Sequence, residues 1–344
     1  MEQRKLRRFW WLLLVLLGLV CGGIVLGAEI FLRFSGFRPY TVPDVPTVKV
    51  EPGGQLYTKH PRLGYTNRPG RLHLTYPSGW QVVFTNLDDH RRITRPLAAY
   101  GAERRTGDGR PQIWLFGASF TYGDSVNDED TFAYRLQSTF PDFEVVNFAV
   151  NGYSNLNSLL QLREALRPEG VAPALALLVY APFQIQRNTG LRNWQKILVP
   201  GDDLRIKTLP LARLREDGEL WISDEPLGYR EFPLMRYSVL VHFMELTYNQ
   251  VEDYYHHSRR VTERILIDMA GEAGRKQVPF GVALIQPDPL MANVLSGQDI
   301  PTRDISIGHW RPEHNNLPHD PHPSALAHRK YAAKLTPFLR ELLR

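Results

Sequence analysis

From residue 112 onward the chain repeats one pattern: a short, continuously apolar run, then a longer stretch with helical spacing. This alternation limits the possible folds more than any other feature. The apolar runs are QIWLFG (112–117), EVVNFAV (144–150), ALALLVYAP (174–182) and FGVALIQP (280–287). Between them, TFAYRLQSTF spaces Phe132, Leu136 and Phe140 for one helical face, and NSLLQLREALR does the same with Leu159, Leu162 and Leu166. RRVTERILIDMAGEAGRK (259–276) is a further helical stretch. The closing segment SALAHRKYAAKLTPFLRELL puts Leu326, Tyr331, Leu335, Phe338 and Leu342 on one broad face. A strand that is apolar throughout is covered on both sides, and helices between parallel strands provide that cover. The pattern predicts an α/β fold over residues 111–344: a three-layer α/β/α, flavodoxin-like domain around a parallel sheet.

The alternation breaks from about 190 to 258. DDLRIKTL (202–209) and GELWIS (218–223) read as a β-ribbon, and YSVLVHFMELTYNQVEDYYHH (237–257) as an aromatic-rich helix. This insertion reads as a lid or partner surface and, equally, as a satellite that only packs.

The N-terminus sets a second constraint. Arg4, Lys5, Arg7 and Arg8 precede a run from Phe9 to Ala28 without a charged residue. Those 20 residues are enough to cross a bilayer as a helix. The basic flank places residues 1–8 in the cytoplasm and everything after Glu29 outside it, periplasmic in a Gram-negative cell. The run is long for a cleaved signal peptide, and Leu26-Gly27-Ala28 is a poor cleavage site, so the expectation is an uncleaved single-pass anchor over residues 9–28. The one cysteine, Cys21, permits no intramolecular disulfide. Residues 29–56, rich in Pro and Gly, read as a spacer. Residues 57–110 read as lead-in strands and loops, with the arginines of HRRITRPLAAYGAERRTGDGRP on a solvated surface.

In open parallel sheets, ligands bind beyond the C-terminal strand ends. The first run delivers Gly117-Ala118-Ser119 there. The second delivers Asn151-Gly152-Tyr153, and the third Phe183-Gln184 and then Arg187-Asn188. Asp320 and His322 precede the last helix. A serine hydroxyl is a weak nucleophile. It needs an imidazole to take its proton, a carboxylate to orient that imidazole, and N–H donors where the oxyanion forms. Ser119, His322 and Asp320 suit the first three roles, and the amides of Ser119 and Gly152 suit the last.

On these residues the chain resembles the SGNH hydrolases, also called GDSL-type esterases and lipases, from about residue 60 to the end. FGASFTYGDSV is similar to the family's serine block, with Ala118 where Asp is usual. VVNFAVNGYSNLNSLL resembles the glycine block, and HDPHPSALAHRKYAA the terminal Asp/His block. HPRLGYTNRPG and TNLDDHRR resemble lead-in segments of membrane-anchored bacterial members. The resemblance implies catalysis by Ser119, His322 and Asp320, with oxyanion donors from Ser119 and Gly152. Two blocks depart from the family pattern. The third, YAPFQIQRN, puts Phe183 or Gln184 where an oxyanion-hole Asn is expected, leaving Asn151, Gln184 and Asn188 as candidate replacements. In the terminal block Asp320 lies two residues before His322, where three is common.

Rival chemistries fit less well. The α/β-hydrolase elbow G-x-S-x-G fails, because Thr121 stands two after Ser119. His309, His314, His319, His322 and His328 crowd the C-terminal region without a metal-binding spacing, so no metal is expected. No cofactor is implied. Scattered arginines on an exported domain argue against nucleic acid. The expected function is a membrane-anchored serine esterase acting on O-acyl esters of envelope glycans or on lipid esters. A glycan O-acyltransferase, or a weakly active glycan-binding or assembly component of the envelope polysaccharide machinery, is the alternative.

Overall fold

The computed structural model describes residues 2–42, 48–102, 104–167, 172–198, 208–226 and 228–344. The chain forms two compact units, Met1–Val45 with Tyr229–Tyr255, and Pro46–Gly228 with His256–Arg344. The stretch read as one insertion therefore divides. Its ribbon belongs to the larger unit and its aromatic helix to the unit with the N-terminus.

In the smaller unit the Leu- and Val-rich run forms α1 (Glu2–Phe34), which at 1.5 Å per residue is about 50 Å long. It is long and apolar enough to cross a membrane, and none of its most apolar window is buried in protein. The aromatic helix, Val239–His256, begins on Glu29. The Glu29 carboxylate accepts hydrogen bonds from the Ser238 hydroxyl (2.7 Å) and from the amides of Val239 (3.0 Å) and Leu240 (2.8 Å). An anion on free helix amides is the ordinary way to satisfy a helix start.

The larger unit is built around β1 (Gln112–Phe116), α2 (Ser119–Tyr122), α3 (Phe132–Thr139), β2 (Glu144–Asn147), α4 (Asn155–Ala165), β3 (Leu175–Tyr180), α5 (Ser258–Arg275), β4 (Phe280–Leu284), β5 (Thr302–Asp304) and α6 (Ala325–Leu342). The sheet order is β5-β4-β3-β1-β2, with every neighbouring pair parallel. Strand side chains alternate between two buried layers. Trp114, Phe116, Ala176, Leu178 and Val282 pack with residues of α4 and α5. Ile113, Leu115, Leu175, Leu177 and Ala283 pack with residues of α3 and α6. The expected three-layer α/β/α arrangement is the one the chain adopts.

Three details differ from the sequence reading. The second strand stops at Asn147, because its side chain accepts the Ala149 amide (3.1 Å) and donates to the Thr121 carbonyl (3.0 Å), turning the chain out of the sheet. The edge strand β5 consists of Thr302, Arg303 and Asp304 and had no apolar signal. The spacer is partly structured: Lys49–Glu51 pairs with His73–Thr75 in an antiparallel sheet that also contains Gln81–Asn86. Residues 43–47 of the spacer lie outside the described residues. So do residues 202–207, the first part of the expected ribbon. The rest of the ribbon forms, Thr208–Leu214 against Leu220–Pro226.

Two of the arginines read as solvated need a correction, whereas Arg104 and Arg105 are exposed as expected. Arg92 is fully buried. Its Nε donates to Asp128 (3.0 Å), and its terminal nitrogens donate to the carbonyls of Tyr122 (3.1 Å), Gly123 and Val126 (2.7 Å). Arg95 is buried between Glu144 and Asp108. Both charges tolerate burial because they are paired and bonded.

Candidate active site

The site is assembled at the C-terminal end of the sheet. After β1, Gly117 lets the chain bend hard. A side chain at this position would collide with Thr121 and come within 3.1 Å of the Val179 carbonyl. Ser119 is the first residue of the one-turn helix α2 and is almost buried, at 5 % exposure. The turn closes on itself: the Ser119 carbonyl accepts the amides of Gly123 (2.9 Å) and Asp124 (3.0 Å). The Arg92 bonds to Tyr122, Gly123 and Val126 fix this loop from below.

α2 lies against the short strand Asp320–Pro323, which brings His322 to the serine turn. The Asp-Pro-His spacing suits a tight Asx-like turn. One Asp320 oxygen accepts both the His322 amide (2.8 Å) and the His322 Nδ1–H (2.7 Å). The imidazole lies edge-on to Phe120, with ring centres 5.7 Å apart. Ser119 Oγ makes no hydrogen bond to His322 in this structure. Such contacts commonly close only when substrate arrives.

The other imidazole nitrogen faces a residue the sequence reading missed. His322 Nε2 lies 3.8 Å from Asp124 Oδ2. Burial pulls the His322 pKa down, but Asp124 and the Asp320 bond outweigh it and hold the group above its ordinary value. Burial raises the Asp124 pKa, with a further push from Asp320 and a pull down from His322. Asp320 is held low: burial raises it, but its bond to His322 wins. Asp124 reaches the site only because the serine turn is a single tight helical turn. A one-turn helix returns residue 124 to the carbonyl of 119.

Gly152 sits at φ +78°, where a side chain is strained and would strike the Tyr65 hydroxyl. That hydroxyl donates to the Asn151 carbonyl (2.7 Å). The lead-in hairpin, Tyr57–His60 with Gly64–Asn67, thus holds the glycine turn through Tyr65, whose ring packs on Tyr57 and Tyr153. Neither the Ser119 nor the Gly152 amide has an acceptor among the described residues.

The three candidate oxyanion side chains are otherwise engaged to different degrees. Asn151 Nδ2 donates to Asp124 Oδ2 (2.7 Å). Asn188 is wholly buried: it accepts the Leu156 amide (3.0 Å) and donates to Asn155 (3.2 Å) and Thr262 (2.7 Å), locking α4 to α5. Gln184 is also buried, its oxygen accepting the Ala181 amide (2.9 Å) and Asn155 (3.3 Å), while its amide nitrogen has no partner among the described residues. At Phe183, one of the two positions where the resemblance places an Asn, the ring packs against Phe120 and under the Arg187 guanidinium. Arg187 is stacked between Phe183 and Trp194, 4.7 and 4.2 Å from the ring centres. It donates to the Tyr153 carbonyl (3.2 Å) and has no carboxylate partner among the described residues. Burial lowers its pKa to about 10.

Three of the crowded histidines are held by separate partners, while His309 and His322 both pack on Phe120. His314 bonds to Gly308 and Lys330, His319 to Ser78, and His328 accepts the Phe132 amide. Among the described residues, no group of three or more His, Cys, Asp or Glu is placed to hold a metal ion.

No family model and no curated protein matches the sequence. Solved structures to which the chain is similar include esterases and lipases, several of the GDSL type. TesA is 13 % identical over 67 % of this chain and 99 % of its own, with a TM-score of 0.40. The psychrotrophic esterase EstA from Pseudoalteromonas sp. is 11 % identical over 67 % and 98 %, with a TM-score of 0.39. A GDSL-like lipase from Bacteroides thetaiotaomicron is 13 % identical over 72 % and 98 %, with a TM-score of 0.37.

Proposed function

We propose that this chain is a membrane-anchored serine esterase whose catalytic domain lies outside the cytoplasm. The observation that carries the reading is the 2.7 Å bond from His322 Nδ1 to Asp320, on a strand packed against the turn that bears Ser119. Asp320 fixes the tautomer with the lone pair on Nε2, the nitrogen a general base needs. Ser119 Oγ attacks the ester carbonyl while its proton passes to His322 Nε2. The ester C–O bond then breaks, and the alcohol leaves with that proton. Water repeats the sequence in reverse, releasing the acid and restoring Ser119.

The amides of Ser119 and Gly152 supply the oxyanion donors. Asn188 is a framework residue in this reading. Arg187, the cation whose charge reaches His322, adds positive potential where an amide side chain is missing. Losing a donor altogether costs on the order of 100- to 1000-fold in rate. The substrate class, O-acyl groups of envelope glycans or lipid esters, rests on the anchor and on the sequence resemblance. The test is turnover by the detergent-solubilised full chain of short acyl esters, acetylated glycans and phospholipids. Ser119→Ala and His322→Ala should abolish turnover of whichever class reacts. A wild type that turns over none of them, yet binds glycan as well as Ser119→Ala does, would move the function to recognition.

A further inference from the structure

The smaller unit carries an exposed apolar face that the proposed chemistry does not use. It lies on the aromatic helix Val239–His256. Met244, Tyr248 and Val251 follow the i, i+4, i+7 spacing of one helical stripe, and they are 57 %, 47 % and 57 % exposed. Thr247 lies within the stripe and Phe243 on its flank, and neither is charged. Of the two carboxylates that flank the stripe along the chain, Glu245 is turned inward and buried, where it accepts the Tyr229 hydroxyl (2.7 Å), and Glu252, beside Val251, is half-buried. A stripe of this kind in water is costly and marks a surface that something covers.

The position of the helix indicates what covers it. Its first turn is bonded to Glu29, the first charged residue after the uncharged run of α1. Arg33 donates to the Tyr237 carbonyl (2.9 Å), a His242 ring nitrogen bonds the Arg38 carbonyl (2.8 Å), and Phe37 packs edge-on against Phe243 at 5.3 Å. The helix therefore starts at the level where α1 leaves hydrocarbon. Other aromatic and aliphatic side chains stand open at the same level: Phe31, Phe34, Leu234 and Tyr237 are all exposed. Aromatic side chains gather at the headgroup layer because their rings are apolar and, in tyrosine, one end is polar.

We propose that the helix Val239–His256 is an interfacial helix, with its Met244–Tyr248–Val251 face seated in the headgroup and upper acyl layer of the membrane that α1 spans. The proposal rests on α1 being a retained membrane span. The anchor is then two-part. One helix crosses the bilayer and a second lies on it, tied to the first through Glu29. Two attachments fix the tilt of a single-span anchor, whereas one leaves it free to swing.

The test uses the full chain with Cys21→Ser, reconstituted in nanodiscs of phosphatidylethanolamine and phosphatidylglycerol. An environment-sensitive fluorophore is placed at Met244→Cys or Val251→Cys. Leu16→Cys in α1 and Asp217→Cys, at the exposed turn of the ribbon, are the references. The labels at 244 and 251 should emit further to the blue than the label at 217, lose most of its quenching by aqueous iodide, and gain quenching from lipids with a nitroxide near the headgroup. Labels at 244 and 251 as open to iodide as the one at 217 would overturn the proposal. Labels shielded from both iodide and nitroxide lipid would overturn it too, in favour of a protein cover. If Leu16→Cys is itself open to iodide, the anchor reading falls along with this one. If Leu16→Cys reports lipid while the 244 and 251 labels report water, only the interfacial helix falls.

Discussion

Replacing Asp124 by Asn should move the acid limb of the esterase pH profile to lower pH. Asp124 Oδ2 stands 3.8 Å from His322 Nε2, the nitrogen that must be neutral to take the Ser119 proton. At this distance a unit negative charge favours the imidazolium by about 1 kcal/mol if water screens the pair fully, and by about 4 kcal/mol at the effective dielectric typical of protein sites. Removing the charge therefore lowers the His322 pKa from its raised value. The other groups acting on His322 stay in place: Asp320 still raises its pKa, and burial and Arg187 still lower it. The sign follows directly. The folded wild-type pKa is raised, so the base is lost to protonation below that value. In Asp124→Asn the loss begins at lower pH. The Asn oxygen can still accept from Asn151, so the turn need not change. The assay is kcat/KM for a short acyl ester across pH 5 to 9, with the His322 ring signals followed by NMR. An acid limb that stays put or moves upward while the fold is intact would refute the electrostatic argument.

Two further substitutions test the framework around the site. Arg92→Ala leaves three buried carbonyls without the Arg92 donors and the Asp128 carboxylate without its cation, with the Thr85 amide (3.0 Å) still bonded to it. It should destabilise the domain by about 3–5 kcal/mol in denaturant unfolding. A loss below about 1 kcal/mol would mean the buried clamp on the serine loop matters little. Asn188→Ala strands the Leu156 amide and should cost about 1–3 kcal/mol of stability while leaving kcat of the folded fraction close to wild type. A large fall in kcat without loss of stability would return Asn188 to the oxyanion site.

The sheet was legible because its central strands are apolar on both faces, and a run such as ALALLV has no other place in a soluble domain. The edge strand Thr302–Asp304 was not, since a polar edge carries no periodic signal. The meeting of Ser119 with the Asp320–His322 turn could be anticipated from topology, because strand ends collect at one side of a parallel sheet. The burial of Arg92 could not. Its carboxylate partner, Asp128, is 36 positions away, and a cluster of arginines looks the same whether it meets water or a buried acid. Asp124 was hidden for a different reason. Its role depends on the tightness of a single helical turn, which spacing alone does not express. Nor did the sequence foretell the division of residues 190–258, where one part pairs as a ribbon and another is tied to Glu29 over 200 positions away.

The central claim is that Ser119 is a nucleophile activated by His322, and covalent labelling tests it most directly. The detergent-solubilised full chain is treated with a serine-directed phosphonate, and the modified peptide is identified by mass spectrometry. The account predicts one adduct, on Ser119. Ser119→Ala should give none, and His322→Ala should label far more slowly, because an unassisted serine hydroxyl is a poor nucleophile at neutral pH. A folded wild-type protein that takes no label, or that labels at another serine, would contradict it.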